Sequence, residues 1–90
     1  MLIALIARDK PGALDLRKAN RDAHLDYLEK TGVVHMAGPL LDDGGAMTGS
    51  LIVLDVADMA AAQAWAAADP YALAGLFDSV ELIAWKKVVG

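Results

Sequence analysis

The chain has 90 residues, a formal net charge of -4 and no cysteine, which is enough for one small domain over residues 1–90. The negative charge argues against nucleic acid as a partner, and the absence of cysteine excludes a disulfide framework. No apolar run approaches the roughly 18 residues that cross a bilayer, and the opening segment is charged too early for a signal peptide. We therefore expect a cytoplasmic protein with no membrane partner.

The first half of the chain predicts a strand, a helix and a second strand. Residues 2–7 are apolar on both faces of a strand, which is typical of a central strand covered on both sides. A helix is expected from Ala13 to about Lys30, ended by Gly32. The strand predicted for residues 33–41 contains Gly38 and Pro39, a pair that favours the edge of a sheet.

The second half repeats this plan. Residues 50–56 form another strand that is apolar on both faces. Asp58 is a good N-cap for an alanine-rich helix over 59–68, in which Trp65 is the one bulky side chain. Asp69 and Pro70 end that helix, a short turn is expected over 71–76, and residues 80–89 predict a last, edge strand.

The order strand, helix, strand, strand, helix, strand predicts a ferredoxin-like α+β domain with an antiparallel sheet. The first and third strands are then central, and both helices cover one face of the sheet. The other face would expose leucine, isoleucine, valine and Trp85 to water. We therefore expect a homodimer, or a higher oligomer, that forms through the helix-free face.

Basic side chains interrupt the apolar stripe of the first helix. A helical wheel places Arg17 and His24 beside one narrow sector, which is expected to face the sheet and comprises Leu14, Arg21, Leu25 and Leu28. An arginine buried there needs an anionic partner. Two interpretations remain open: the arginines pair with Asp or Glu of neighbouring segments, or they line an anion-binding or catalytic pocket.

The other candidate residues each have two interpretations. His24 is either catalytic or structural, whereas His35 stands alone and is expected to be structural or exposed. Asp69 before Pro70 could be only a helix cap. Ser50, in the segment 48–50, could line a pocket mouth or lie in a turn. The two histidines lack the carboxylate spacing of a metal site, so we expect no metal and no cofactor.

Together these segments resemble the YciI-like (YCII-related) family over nearly the whole chain. The resemblance implies a ferredoxin-like domain that dimerises sheet to sheet, as in dimeric α+β barrel proteins. It rests on the order and spacing of the opening strand through Ala7, Arg17-x-x-x-Arg21-x-x-His24-Leu25, Ala37-Gly38-Pro39, Thr48-Gly49-Ser50, Ala61-Ala62-Gln63-Ala64-Trp65, Asp69-Pro70-Tyr71 and Trp85-Lys86-Lys87.

The resemblance also implies a pocket that holds a histidine and an aspartate, which correspond here to His24 and Asp69. Family members are similar to small-molecule enzymes that act on lactones and halogenated ring-cleavage products by proton removal or elimination. The direction of the two helices predicts a different neighbour for Asp69. Because the two helices run antiparallel, Asp69 is expected nearer Arg17 and Arg21 than His24, so the histidine–aspartate pair depends on the resemblance alone.

Two functional hypotheses follow. In the first, the protein is an enzyme in which His24 is the general acid/base and Asp69 orients its imidazole. Arg17, Arg21 and Ser50 would then bind a small anionic or lactone-like substrate for isomerisation, elimination or hydrolysis. In the second, the same cluster belongs to a non-catalytic domain that binds an anion or another ligand.

Overall fold

The computed structural model describes residues 1–90 and contains four strands and three helices. The element order is the predicted one, with a short helix after Asp69 where a turn was expected. The elements are β1 (Leu2–Asp9), α1 (Leu14–Thr31), β2 (Val34–Leu41), β3 (Met47–Asp55), α2 (Met59–Ala68), α3 (Pro70–Leu73) and β4 (Phe77–Trp85).

The four strands form one antiparallel sheet in the order β2-β3-β1-β4. Strands β1 and β3 are central and β2 and β4 lie at the edges, which confirms the arrangement predicted from their apolar faces. The fold is therefore the predicted ferredoxin-like α+β fold. No helix is long and apolar enough to span a membrane.

Several strand boundaries differ from those predicted. β1 extends two residues further, to Asp9, and β3 begins at Met47 rather than at Ser50. The last strand covers Phe77–Trp85 rather than residues 80–89, because Phe77 already pairs with Asp9. Residues 48–50 therefore lie in a strand and not in a turn. Backbone pairing with β1 sets these ends, whereas the prediction followed side-chain hydrophobicity.

The hydrophobic core lies between the sheet and α2. Alanine keeps α2 thin, so Ala62 is fully buried, and Trp65 is its one bulky anchor, as predicted. Asp58 caps the helix by accepting a hydrogen bond from the N–H of Ala61 at 2.8 Å. The buried cluster consists of Ile3, Leu5, Ala7, Ile52, Leu54, Ala62 and Trp65.

Helix α1 presents a different face to the sheet from the predicted one. Its buried residues are Arg17 and His24, while Arg21 is exposed and Leu25 is 48% exposed. The predicted sector was wrong at Arg21 and Leu25 because it followed hydrophobicity alone, whereas Leu14 and Leu28 are partly buried as expected. The two buried polar residues have acidic partners on neighbouring segments, and these contacts fix the rotation of the helix. As predicted, Gly32 ends α1, with φ +66°.

The helix-free face of the sheet carries an apolar surface. Alternate residues of β1 lie on this face, beginning with Leu2, which pairs with Trp85 of β4. Ile83 and Trp85 of β4 are 44% and 40% exposed, and Met36 of β2 is 49% exposed. This surface, defined by Leu2, Met36, Ile83 and Trp85, is called the open sheet face below.

Candidate active site

A cavity of about 240 Å³ opens between α1, the edge strand β2 and the short helix α3. Ala37, Gly38 and Pro39 of β2 form one wall of it. Its volume lies just below the range of roughly 300–1,000 Å³ that is typical of small-molecule sites, so it suits a small ligand. The polar residues that line it are Arg17, Arg21, His24, Ser50 and Tyr71.

His24, which lines this cavity, forms a buried pair with Asp69, which does not line it. The Nδ1 of His24 lies 2.7 Å from Oδ1 of Asp69, and the two residues are 5% and 1% exposed. The same Oδ1 accepts a hydrogen bond from the backbone N–H of Tyr71 at 2.9 Å, so Asp69 also caps α3. Both interpretations of Asp69, as a cap and as the neighbour of His24, therefore hold.

The expectation that Asp69 lies nearer Arg17 and Arg21 than His24 was wrong. Contacts between α1 and α2 explain the error. Tyr27 Oη donates to the Trp65 carbonyl at 2.8 Å, and Trp65 Nε1 donates to Thr31 Oγ1 at 2.9 Å. These bonds place Trp65 beside the last turns of α1. Asp69 lies about one helical turn after Trp65, and His24 lies about one turn before Tyr27. Because α1 and α2 run antiparallel, these two positions lie at the same level.

The pair gives the imidazole a defined hydrogen-bonding pattern. A carboxylate that accepts a hydrogen bond holds the proton on Nδ1, which leaves Nε2 as the acceptor. His24 lines the cavity, so Nε2 is the ring nitrogen available to a ligand. The second oxygen of Asp69, Oδ2, is enclosed and has no hydrogen-bond partner.

Arg17 is held by an ion pair at the end of β1. Its Nε and Nη2 donate to the two carboxylate oxygens of Asp9 at 2.6 and 3.0 Å, and Nη2 also donates to Ser50 Oγ at 2.9 Å. Burial alone would lower the pKa of Arg17, but the hydrogen bond and charge of Asp9 outweigh it and the pKa is raised. Arg17 is therefore a cation whose charge Asp9 already balances, and its Nη1 takes no part in the hydrogen bonds to Asp9 and Ser50.

Arg21 lines the same cavity one turn further along α1, and it forms no ion pair. It is exposed at the surface. Four of the five predicted site residues, Arg17, Arg21, His24 and Ser50, thus line one cavity, and the fifth, Asp69, contacts it through His24. The two arginines have different surroundings. The other histidine, His35, lies exposed in β2 away from this cavity. No three His, Cys, Asp or Glu side chains converge to hold a metal ion.

Asp9 is a site residue that was not predicted from the sequence. A signal was present, because Ile3, Leu5, Ala7 and Asp9 alternate along β1 and so share the face toward the helices. Extending the strand by two residues would have placed a carboxylate on that face, opposite the buried arginine.

Tyr71 was also missed as a site residue. It is 2% exposed and its ring stacks on the His24 imidazole, with centroids 3.9 Å apart and an interplanar angle of 14°. The guanidinium carbon of Arg17 lies 4.7 Å from the ring centroid, and Phe77 packs edge-on at 6.0 Å. Sequence spacing gave no signal for this contact, since Tyr71 is 47 residues from His24.

The chain matches proteins of known family over nearly its whole length. The family model of the YCII-related domain matches residues 1–86. The protein YciI of Escherichia coli O6:H1 is 39% identical, over 98% of this chain and 99% of that protein. An uncharacterised protein of Haemophilus influenzae is 34% identical with the same coverage.

Solved structures agree with this match. The 5-chloro-2-hydroxyhydroquinone dehydrochlorinase TftG of Burkholderia phenoliruptrix AC1100, in complex with 2,5-dihydroxybenzoquinone, is 33% identical with a TM-score of 0.90. The alignment covers 96% of this chain and 94% of TftG. An antibiotic biosynthesis monooxygenase, at 12% identity and a TM-score of 0.62 over 99% of this chain and 100% of that one, shares the fold alone. The chain belongs to the YCII-related family.

Proposed function

We propose that this protein is a small-molecule enzyme that removes a proton from a small anionic or lactone-like ring compound, with His24 as the acid/base. The buried His24–Asp69 pair on a small cavity carries the proposal. A histidine that is held by an aspartate and faces a cavity has the arrangement of a general base.

In the proposed mechanism, Nε2 of His24 takes a proton from the substrate and becomes an imidazolium. Asp69, 2.7 Å from Nδ1, stabilises that cation and keeps the ring in place. Arg21 supplies the positive charge for an anionic group of the substrate, and Nη1 of Arg17 adds a donor. His24 then returns its proton to the leaving group or to solvent.

Among the three reaction types, elimination has the best support. TftG, at 33% identity and a TM-score of 0.90, is a dehydrochlorinase, and loss of HCl is an elimination. Hydrolysis through an acyl-enzyme has less support, because the hydroxyl of Ser50 accepts a hydrogen bond from Arg17 and has no basic partner that would activate it.

We also propose that the protein is a homodimer that joins two open sheet faces. Each copy covers one face of its sheet with helices and leaves apolar residues on the other. Packing of a second sheet on this surface would remove them from water.

Turnover by the purified protein tests the proposed enzyme. Lactones and halogenated dihydroxy-aromatic compounds would be incubated with the protein, while chloride release and ultraviolet absorbance are followed. We expect turnover by the wild type and by His35→Asn, whose exposed histidine serves as the matched control. His24→Asn should lower kcat/KM by about 10²–10⁴-fold.

A protein that binds panel compounds without converting any of them would overturn this proposal in favour of a ligand-binding domain. Equal turnover by His24→Asn and the wild type would also contradict it, because the base would then lie elsewhere.

A further inference from the structure

The hydroxyl group of Tyr71, which lines the cavity, donates a hydrogen bond to no side chain or carbonyl of the protein, although Arg17 lies close enough to donate one to it. The residue is 2% exposed and lines the cavity with His24 and Arg21. The O–H group of a buried tyrosine usually finds a hydrogen-bond partner. Tyr27, the only other tyrosine, follows that rule, since its hydroxyl donates to the Trp65 carbonyl.

The ring of Tyr71 is fixed on several sides. The His24 imidazole stacks on it at 3.9 Å, Phe77 contacts it edge-on at 6.0 Å, and its backbone N–H is bonded to Asp69. A ring held in this way keeps its hydroxyl in one place before a ligand arrives. Groups that are positioned in advance stabilise developing charge most effectively.

The protonation state of Tyr71 suits a hydrogen-bond donor. Burial raises the pKa of its hydroxyl, and although the Arg17 and Arg21 cations act in the opposite direction, the pKa remains above the usual 10.0. The hydroxyl is therefore protonated at neutral pH. Arg21, which forms no ion pair, also favours negative charge in this part of the cavity.

We infer that the Tyr71 hydroxyl is a second catalytic group, which donates a hydrogen bond to the substrate oxygen that becomes negative when His24 removes a proton. This inference rests on the proposed function and narrows its substrate to a carbonyl compound. His24 takes a proton from the carbon beside the carbonyl, and the C–H electron pair moves onto the carbonyl oxygen as an enolate. When the carbonyl re-forms, the leaving group on the next carbon departs with its bonding pair.

Tyr71→Phe removes the hydroxyl and keeps the ring stacked on His24. We expect kcat/KM for elimination to fall by about 10²–10³-fold, as for the loss of one oxyanion donor. Tyr27→Phe is the matched control, because it removes the hydroxyl that bonds outside the cavity, and it should retain turnover.

Binding of 4-nitrophenol, whose absorbance separates the phenolate from the phenol, tests the donor without any turnover. The wild type should bind the phenolate about 10- to 100-fold more tightly than Tyr71→Phe, since a hydrogen bond to a charged group is lost. Equal binding by the two proteins would overturn the role of Tyr71. Tighter binding by the wild type with no turnover of any compound would reject the enzyme and still support the donor.

A second measurement covers the case in which Tyr71→Phe does not fold. With only two tyrosines, wild-type protein labelled with ¹³C at tyrosine Cζ gives two lines. The phenolate should shift the Tyr71 line and leave the Tyr27 line in place. A titration that saturates without moving the Tyr71 line would overturn the inference.

Discussion

At the scale of single residues, the cavity combines two acid–base pairs with different roles. His24 and Asp69 leave one ring nitrogen facing the cavity, whereas Arg17 and Asp9 satisfy most of each other's hydrogen bonds. We propose that the first pair transfers protons. The second pair supports the wall of the cavity.

The His24–Asp69 pair should behave as one unit in mutagenesis. Asp69→Asn removes the charge that supports the imidazolium, so it should lower kcat/KM less than His24→Asn does. The double variant should be little worse than His24→Asn, because residues that act together are not additive. Steady-state kinetics of the three variants measure this, and effects that multiply would show that the residues act independently.

Asp9→Asn should destabilise the fold by about 3–5 kcal/mol, because it leaves the buried Arg17 charge without its partner. Urea unfolding provides the measurement. The matched control is Asp26→Asn, which breaks the solvent-exposed pair of Lys30 and Asp26 and should leave the free energy of unfolding almost unchanged. Equal losses in the two variants would contradict the structural role of the Arg17–Asp9 pair.

Alkaline pH should weaken the fold through Tyr71. Because burial raises the pKa of this hydroxyl above 10.0 in the folded state, the folded protein holds the proton more tightly than the unfolded chain. The contribution of the protonated Tyr71 to the free energy of unfolding is complete below about pH 10. It is lost as the pH rises through the pKa that Tyr71 has in the folded state. Urea unfolding at increasing pH should show a smaller loss for Tyr71→Phe than for the wild type. The same loss in both would contradict the shifted pKa.

At the scale of secondary-structure elements, close strand contact holds Ser50 in the cavity. A Cβ atom on the neighbouring Gly49 would collide with the carbonyl oxygen of Ala7 and would lie 3.1 Å from Leu40 Cδ1. Only glycine allows β1 and β3 to approach this closely, and that approach positions Ser50 to accept from Arg17.

Gly49→Ala should therefore lower the free energy of unfolding by about 1–3 kcal/mol. Gly38→Ala is the control, since a Cβ there meets nothing within 4 Å. Thermal melting of both variants gives the comparison. A destabilisation by Gly38→Ala as large as that by Gly49→Ala would show that strand glycines are needed here for a reason other than close approach.

The sequence allowed the element order, the central strands and the Asp58 cap to be predicted, because these depend on local periodicity and composition. The rotation of α1 could not be predicted from a helical wheel, since Asp9 and Asp69 determine it from distant segments. Similarly, Tyr71 meets His24 only through the register of α1 against α2. Contacts of this kind depend on tertiary packing and leave no pattern of spacing along the chain.

At the scale of the whole molecule, the open sheet face predicts self-association. Light scattering at micromolar concentration should give the mass of a dimer or of a larger oligomer. Ile83→Asp places a charge on this face and should shift the protein toward monomer. Leu73→Asp, at a position that is 74% exposed on α3, is the control. A stable wild-type monomer would contradict the proposed dimer.

Hydrogen–deuterium exchange reports directly on proton transfer by His24. A ring carbonyl compound without a leaving group would be placed in ²H₂O with the protein, and loss of the proton beside the carbonyl would be followed by ¹H NMR. We expect catalysed exchange with the wild type and with His35→Asn, and exchange about 10²–10⁴-fold slower with His24→Asn. Exchange at the wild-type rate by a folded His24→Asn protein would show that His24 is not the base.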